Sequence, residues 1–306
     1  MGARFGTAGI PRDYRGKTPG VMSYLASRGL YAFEYEAVRG VRISDDEANS
    51  LGEEARKYGI KLSMHAPYYV NLGSSYDKIW RESLSRVSQA MRVLEIAKGT
   101  IVVVHPGYYG ESPEDAFRNV IKAISSLEGK WHVKIGIETM GRLSQIGSLE
   151  EVVAISLSFP SFVVPVIDWA HLEARSLGHM RTKDDAIAVL NYLDERLDEQ
   201  DISTLHCHFS KMEFSRSGEV RHHDLEEQGF YPDFQPVAEA FVELGISDPT
   251  FISETSSSER DAITMKRIFE TLGGITQIRW RQEALELCQS KCQGDPPCLS
   301  KCRKSC

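Results

Sequence analysis

The feature that most constrains the fold is a short apolar run that ends in a histidine or a carboxylate and returns about once per βα unit. Its clearest instance is Ile101-Val102-Val103-Val104-His105-Pro106-Gly107: a β-branched run, a histidine, then the Pro-Gly that closes a strand. The same shape returns as Leu62-Ser63-Met64-His65-Ala66-Pro67, Lys134-Ile135-Gly136-Ile137-Glu138, Val166-Ile167-Asp168-Trp169-Ala170-His171, Leu205-His206-Cys207-His208 and Phe251-Ile252-Ser253-Glu254. Helical patterns fall between these runs at 18–30, 44–58, 76–98, after Ser112-Pro113, after Ser148, and at 182–197, 232–244 and 259–272. Ser44 with Glu47 three residues on reads as a capping box, and Gly59 reads as the stop of that helix. With a first strand from Arg4 and a second over 31–36, eight strands alternate with eight helical segments. Strict alternation implies a parallel sheet covered by helices. Eight units fit an α/β fold of the (β/α)8 TIM-barrel kind better than a doubly wound sheet, and no GxGxxG or Walker pattern is present. The barrel is expected over 1–274 as the catalytic domain, with a short Cys-rich helical extension over 275–306. A long loop is expected at about 211–231.

Active sites of such barrels lie at the C-terminal ends of the strands. His65, His105, Glu138, Asp168, His171, His206 and Glu254 all fall there. One histidine at a strand end is ordinarily structural. This many carboxylates and imidazoles at one mouth would repel or be costly to desolvate unless a divalent cation joined them. Histidine and carboxylate without thiolate suit Zn2+, with Mn2+ or Fe2+ as alternatives. A bridging carboxylate can hold two ions about 3.5–4 Å apart, the usual arrangement for hydrolysing phosphate esters. The net charge of −7 argues against a surface that binds nucleic acid everywhere, but not against a local basic rim. No apolar stretch reaches the roughly 18–20 residues of a membrane span, and the N-terminus carries neither a signal-peptide core nor a myristoylation pattern. No membrane partner and a cytoplasmic location are the expectation.

The motifs resemble those of the endonuclease IV family of apurinic/apyrimidinic endonucleases, as an archaeal-type divergent member within the xylose-isomerase-like barrels. The matching stretches are Met64-His65-Ala66-Pro67-Tyr68-Tyr69-Val70-Asn71-Leu72, Val104-His105-Pro106-Gly107, Ile137-Glu138-Thr139, Gly147-Ser148-Leu149-Glu150, Val166-Ile167-Asp168-Trp169-Ala170-His171, Leu205-His206-Cys207-His208-Phe209-Ser210-Lys211 and Ser253-Glu254-Thr255. The resemblance implies a zinc cluster of two or three ions. His65 and His105 would hold one ion, and Glu138 would bridge it to a second bound also by Asp168, His206 and Glu254. His171 and His222 would hold a third. The family pattern places Asp two residues before the last of these histidines; here Val220 stands there, with Glu219 one place off. His208 is read as supporting or neutral. The implied reaction is hydrolysis of double-stranded DNA on the 5′ side of an abasic site by a metal-activated hydroxide, with Glu254 and Glu138 as the catalytic carboxylates. Tyr68 and Tyr69 match the family's positions for DNA contact, and Arg39 and Arg42 are the expected phosphate contacts of the DNA-binding rim.

The extension has six Lys/Arg against three Asp/Glu and carries Cys288, Cys292, Cys298 and Cys302 as two Cys-x-x-x-Cys pairs. Each pair shares a helix face. The four are read either as ligands of a structural metal or as two disulfides clipping a hairpin. The extension is also a candidate contact with a repair complex. Two other functions remain open: a metal-dependent sugar isomerase or epimerase on the same barrel, and a non-catalytic zinc module.

Overall fold

The computed structural model describes residues 2–277. The expectations for Cys288, Cys292, Cys298 and Cys302, and for the helical extension that carries them, lie outside the described residues. The elements run β1 (Arg4–Ala8), α1 (Val21–Ser27), β2 (Ala32–Glu36), α2 (Asp45–Tyr58), β3 (Lys61–His65), α3 (Asp77–Ile96), β4 (Ile101–Val104), α4 (Pro113–Leu127) and β5 (Lys134–Glu138). They continue with α5 (Leu149–Ser158), β6 (Val163–Asp168), α6 (Trp169–Arg175), α7 (Lys183–Asp194), α8 (Glu199–Ser203), β7 (His206–Phe209), β8 (Lys211–Ser215), β9 (Gly218–His223), α9 (Phe234–Glu243), β10 (Thr250–Ser253) and α10 (Ser258–Thr271).

Eight parallel strands close into a barrel in the order β1, β10, β7, β6, β5, β4, β3, β2, so the chain folds as a TIM barrel. Closure leaves no free edge: β1 pairs with β10 on one side and β2 on the other. Strands β4, β6, β7 and β10 are buried along their whole length. Helices cover one face of each strand and the barrel interior takes the other, which is why these runs read as continuous rather than alternating. Inside, Ile101, Val103, Val164 and Val166 form a small cluster of their own. Outside, the strands' second face packs on the helices, where Phe5 stacks on Phe251 at 5.3 Å and meets Phe234 and Phe269 edge-on.

The predicted caps form. Ser44 accepts from the Glu47 amide in a reciprocal capping box, Gly59 ends α2 in the left-handed region, and Ser148 and Glu151 form a second box at α5. Two stretches differ from expectation. The helix at 182–197 stops at Asp194 and is followed by the short α8. The expected loop after the seventh barrel strand contains the antiparallel hairpin β8–β9, which folds back over the mouth. No helix among the described residues is long and apolar enough to cross a membrane.

Candidate metal centre

Glu138, the last residue of β5, is fully buried at the barrel mouth. Its Oε2 lies 3.3 Å from His65 Nε2 and 3.0 Å from His105 Nε2. Its Oε1 lies 3.3 Å from His171 Nδ1 and 3.1 Å from His208 Nδ1. One carboxylate thus spans two pairs of imidazoles. Glu254, which follows β10, approaches the same His208 Nδ1 at 3.0 Å.

Asp168 shows how local folding orients the site. It ends β6 and caps α6: its Oδ1 accepts from the His171 amide at 2.8 Å. That fixes the carboxylate and leaves its buried Oδ2 without a hydrogen-bond partner among the described residues. Thr139 completes the corner, accepting His171 Nδ1 on its carbonyl at 2.8 Å and the Asp168 amide on its hydroxyl at 2.9 Å. His171 stands on the first turn of α6, not on the strand that carries Asp168.

The hairpin supplies the third group. Phe214 pairs with Glu219 and Glu213 with Arg221, so Val220 is the extra residue of a β-bulge. The bulge turns Val220 out, where it is half exposed, and turns Glu219 in, where Oε2 lies 3.6 Å from His171 Nε2. His222 places its ring 5.4 Å from that of His171 and bonds through Nδ1 to Ser210 Oγ at 2.8 Å. His171, Glu219 and His222 lie close enough to share an ion, and so do Asp168, His222 and Glu254.

Strand β7 departs from expectation. His206 and His208 both face the barrel interior, because residues two apart on a strand share a face. Register pairs His208 with Asp168 and His206 with Val166, one layer deeper. His208 therefore meets Glu138 and Glu254, whereas His206 meets Glu34 of β2 at 3.0 Å. Glu34 was not read from the sequence. It is fully buried and also receives the Ser63 hydroxyl at 2.7 Å. Two carboxylates alternating along Phe33-Glu34-Tyr35-Glu36 were the available signal, since a barrel strand has no solvated face to put them on.

The donor set fits metal. Among the described residues, His65, His105, His171, His208 and His222 converge with Glu138, Asp168, Glu219 and Glu254, and no thiolate joins them. Several contacts, including His105 Nε2 to Glu138 Oε2 and His208 Nδ1 to Glu254 Oε1, sit at 3.0 Å. That is how ligands of a shared cation lie: about 3 Å apart, with lone pairs meeting between them. Without a cation the groups can only hold protons against one another. Burial opposes the charge on His65, but Glu138 wins and raises it to about 10. Burial likewise opposes charge on His171 and His208, yet Asp168 for the first and Glu254 for the second carry them well above the ordinary imidazole value. Burial would raise Glu254, but His208 pulls it down to about 2. Glu36, whose buried Oε1 has no hydrogen-bond partner among the described residues, is pushed up to about 8 by burial.

Around the mouth, Tyr68 and Tyr69 are exposed and meet edge-on, with Arg86 over the Tyr69 ring. Arg39 and Arg42 are exposed in the loop after β2 and form no ion pair among the described residues. That loop adjoins Tyr69, whose hydroxyl lies 3.4 Å from where a side chain at Gly40 would begin. The loop that carries Arg39 and Arg42 therefore lies beside Tyr69.

Three comparisons bear on this arrangement. A family model for the xylose isomerase-like TIM barrel matches residues 22–278. An uncharacterised protein of Methanocaldococcus jannaschii is 31% identical over 276 residues, covering 88% of this chain and 97% of that one. A probable endonuclease 4 of Thermoplasma acidophilum is 32% identical over 155 residues, 49% of this chain, and the match spans only 54% of that protein. Among solved structures, endonuclease IV from Thermus thermophilus superposes with a TM-score of 0.66 at 20% identity, covering 89% of this chain and 98% of that one. A D-tagatose 3-epimerase-like protein gives 0.65 at 19%, with 93% and 100% coverage. At these identities the structural likenesses speak to the fold alone.

Proposed function

The chain belongs to the xylose isomerase-like TIM barrel family, and on that premise we propose that it is a zinc-dependent phosphodiester hydrolase that incises double-stranded DNA 5′ to abasic sites. The observation that carries this reading is Glu138, whose Oε2 faces His65 and His105 while its Oε1 faces His208. A carboxylate so placed suits two cations side by side, and paired cations suit in-line displacement at phosphorus. The sequence match to an endonuclease 4 supports the same class.

His65, His105, Glu138, Asp168 and His208 would hold two ions, His171, Glu219 and His222 a third, and Glu254 would stand beside the pair as the base. Bound there, such ions lower the pKa of water and stabilise charge on the attacking and leaving oxygens. The chain's own residues do the rest. Glu254, whose Oε1 lies 3.0 Å from His208 Nδ1 at the edge of the cluster, is the carboxylate placed to accept a proton from the attacking water. Tyr68 and Tyr69 can stack in the gap left by a displaced nucleotide, while Arg39 and Arg42 pair with flanking phosphates. Cleavage would leave a 3′-hydroxyl and a 5′-deoxyribose phosphate. The local rim reconciles DNA binding with an acidic chain.

The test is a duplex bearing one abasic analogue, incubated with the full chain before and after chelation. Incision at the lesion, lost with chelator and restored by Zn2+, is expected. Failure to incise by the fully metallated protein, together with epimerisation of a ketose, would move the assignment to the sugar-acting branch of the fold.

A further inference from the structure

We infer that Glu34 is a positioning residue that holds His208 with Nδ1 toward the metal cluster, and that His208 rather than His206 is the ligand supplied by β7. The inference rests on the metal-centre part of the reading above and is independent of the substrate.

Three histidines of the mouth follow one rule. His65 commits Nδ1 to the Ala66 carbonyl at 2.7 Å, His171 commits Nδ1 to the Thr139 carbonyl at 2.8 Å, and His222 commits Nδ1 to Ser210 Oγ at 2.8 Å. In each case one ring nitrogen is tied to the protein, and Nε2 is left for the cluster. His208 obeys the rule with its nitrogens exchanged. Nδ1 faces Glu138 at 3.1 Å and Glu254 at 3.0 Å, while Nε2 faces Glu34 Oε1 at 2.9 Å. Nε2 and Oε1 lie off the line of an ideal hydrogen bond and have no other hydrogen-bond partner among the described residues.

Glu34 cannot swing away from this task. Its Oε2 already receives Ser63 Oγ at 2.7 Å and His206 Nε2 at 3.0 Å, and the side chain is sealed in the barrel. Among the described residues His206 comes within ion-pair range of Glu34 alone. Its place is beneath the centre, as a brace for the carboxylate. A carboxylate behind a ligating imidazole fixes the tautomer, sets the ring plane and increases the basicity of the ligating nitrogen.

Two measurements on the full chain decide the matter. The first is zinc affinity by competition with a chromophoric chelator, with the visible spectrum of the Co2+-substituted protein alongside. Glu34→Gln is expected to weaken one zinc by about 10–100-fold and to change the Co2+ bands in a protein that still folds. His206→Gln keeps a donor toward Glu34 and is expected to stay within about threefold of wild type. Wild-type affinity and spectrum in a folded Glu34→Gln protein would overturn the inference. The second measurement needs no variant: nitrogen-15 spectra of histidine in the zinc-loaded protein should show His208 protonated at Nε2. Protonation at Nδ1 would overturn it. So would a zinc anomalous peak among Glu34, His206 and His208, a group also spaced to hold an ion, because Glu34 would then be a ligand itself. Neither readout involves DNA, so a failure to incise would count against the proposed reaction and not against Glu34.

Discussion

A carboxylate that faces four imidazoles, as Glu138 does, concentrates the chemistry of this chain in a few atoms. Glu254 stands beside it but has fewer neighbours and is the better candidate to move a proton. If that is its work, Glu254→Gln should lower incision by about 10²–10⁴-fold, the usual contribution of a general base, while metal content measured by elemental analysis stays close to wild type. Loss of an ion in the variant would make Glu254 a ligand first and a base second. The same residues show what one dimension conceals. The motif spacing located the mouth at His65, His105, Glu138, Asp168 and Glu254, because a strand end is legible from the Pro, Gly or helix cap that follows it. It could not choose between His206 and His208. Both face inward, and depth in the barrel depends on register with β6, which the sequence does not state. Glu34 was hidden for a related reason: alternating Glu and aromatic residues fit a strand with one wet face, and only closure of the barrel removes that face.

Among the elements, the β8–β9 hairpin is the one whose shape decides how complete the cluster is. Its sequence reads as a polar loop, since Arg216-Ser217-Gly218 is a turn signal without strong flanking alternation. The bulge at Val220 then exchanges which of two neighbours faces inward, something no spacing rule for a regular strand foresees. Gly218 anchors the hairpin against the loop after β5. Its φ is +94°, and a Cβ there would fall 2.1 Å from the Gly141 carbonyl oxygen. Gly218→Ala therefore has to push the hairpin off that loop, at a cost on the order of 1–3 kcal/mol locally. Glu219 and His222 would move away from His171. The expected outcome is loss of one equivalent of bound metal, with the remaining ions and the main thermal transition largely retained. Full metal content in a folded Gly218→Ala protein would separate Glu219 from any ligand role.

At the scale of the whole molecule the barrel divides its labour between two ends. Strict βα alternation made the architecture legible because it is a matter of counting, and the C-terminal end inherits the chemistry by rule. The N-terminal end was silent in the sequence, because its charged residues lie at strand starts and read as ordinary solvated positions. The structure gathers them around a cavity of about 640 Å³ lined by Arg4, Lys61, Lys134, Asp201 and Asp248 among others. Arg4 pairs with Asp248 and Lys134 with Asp201, but among the described residues Lys61 has only the Thr250 hydroxyl, at 3.1 Å. Burial, with help from Arg4, pushes the Lys61 ammonium down to about 8. The folded protein therefore binds fewer protons here than the unfolded chain between about pH 8 and the ordinary lysine value of about 10.4. Stability rises with pH across that window, and below it the buried charge is a fixed cost. Lys61→Met keeps the apolar stem and removes the charge, at the loss of one hydrogen bond. After allowing for the residue's partial exposure, a gain of roughly 1–2 kcal/mol, or about 2–6 °C in Tm, is expected at pH 7. The gain should shrink steadily as both proteins are melted at increasing pH and disappear by about pH 10.5. A variant less stable than wild type at pH 7, or a difference that ignores pH, would mean that Lys61 holds the strand starts together rather than straining them.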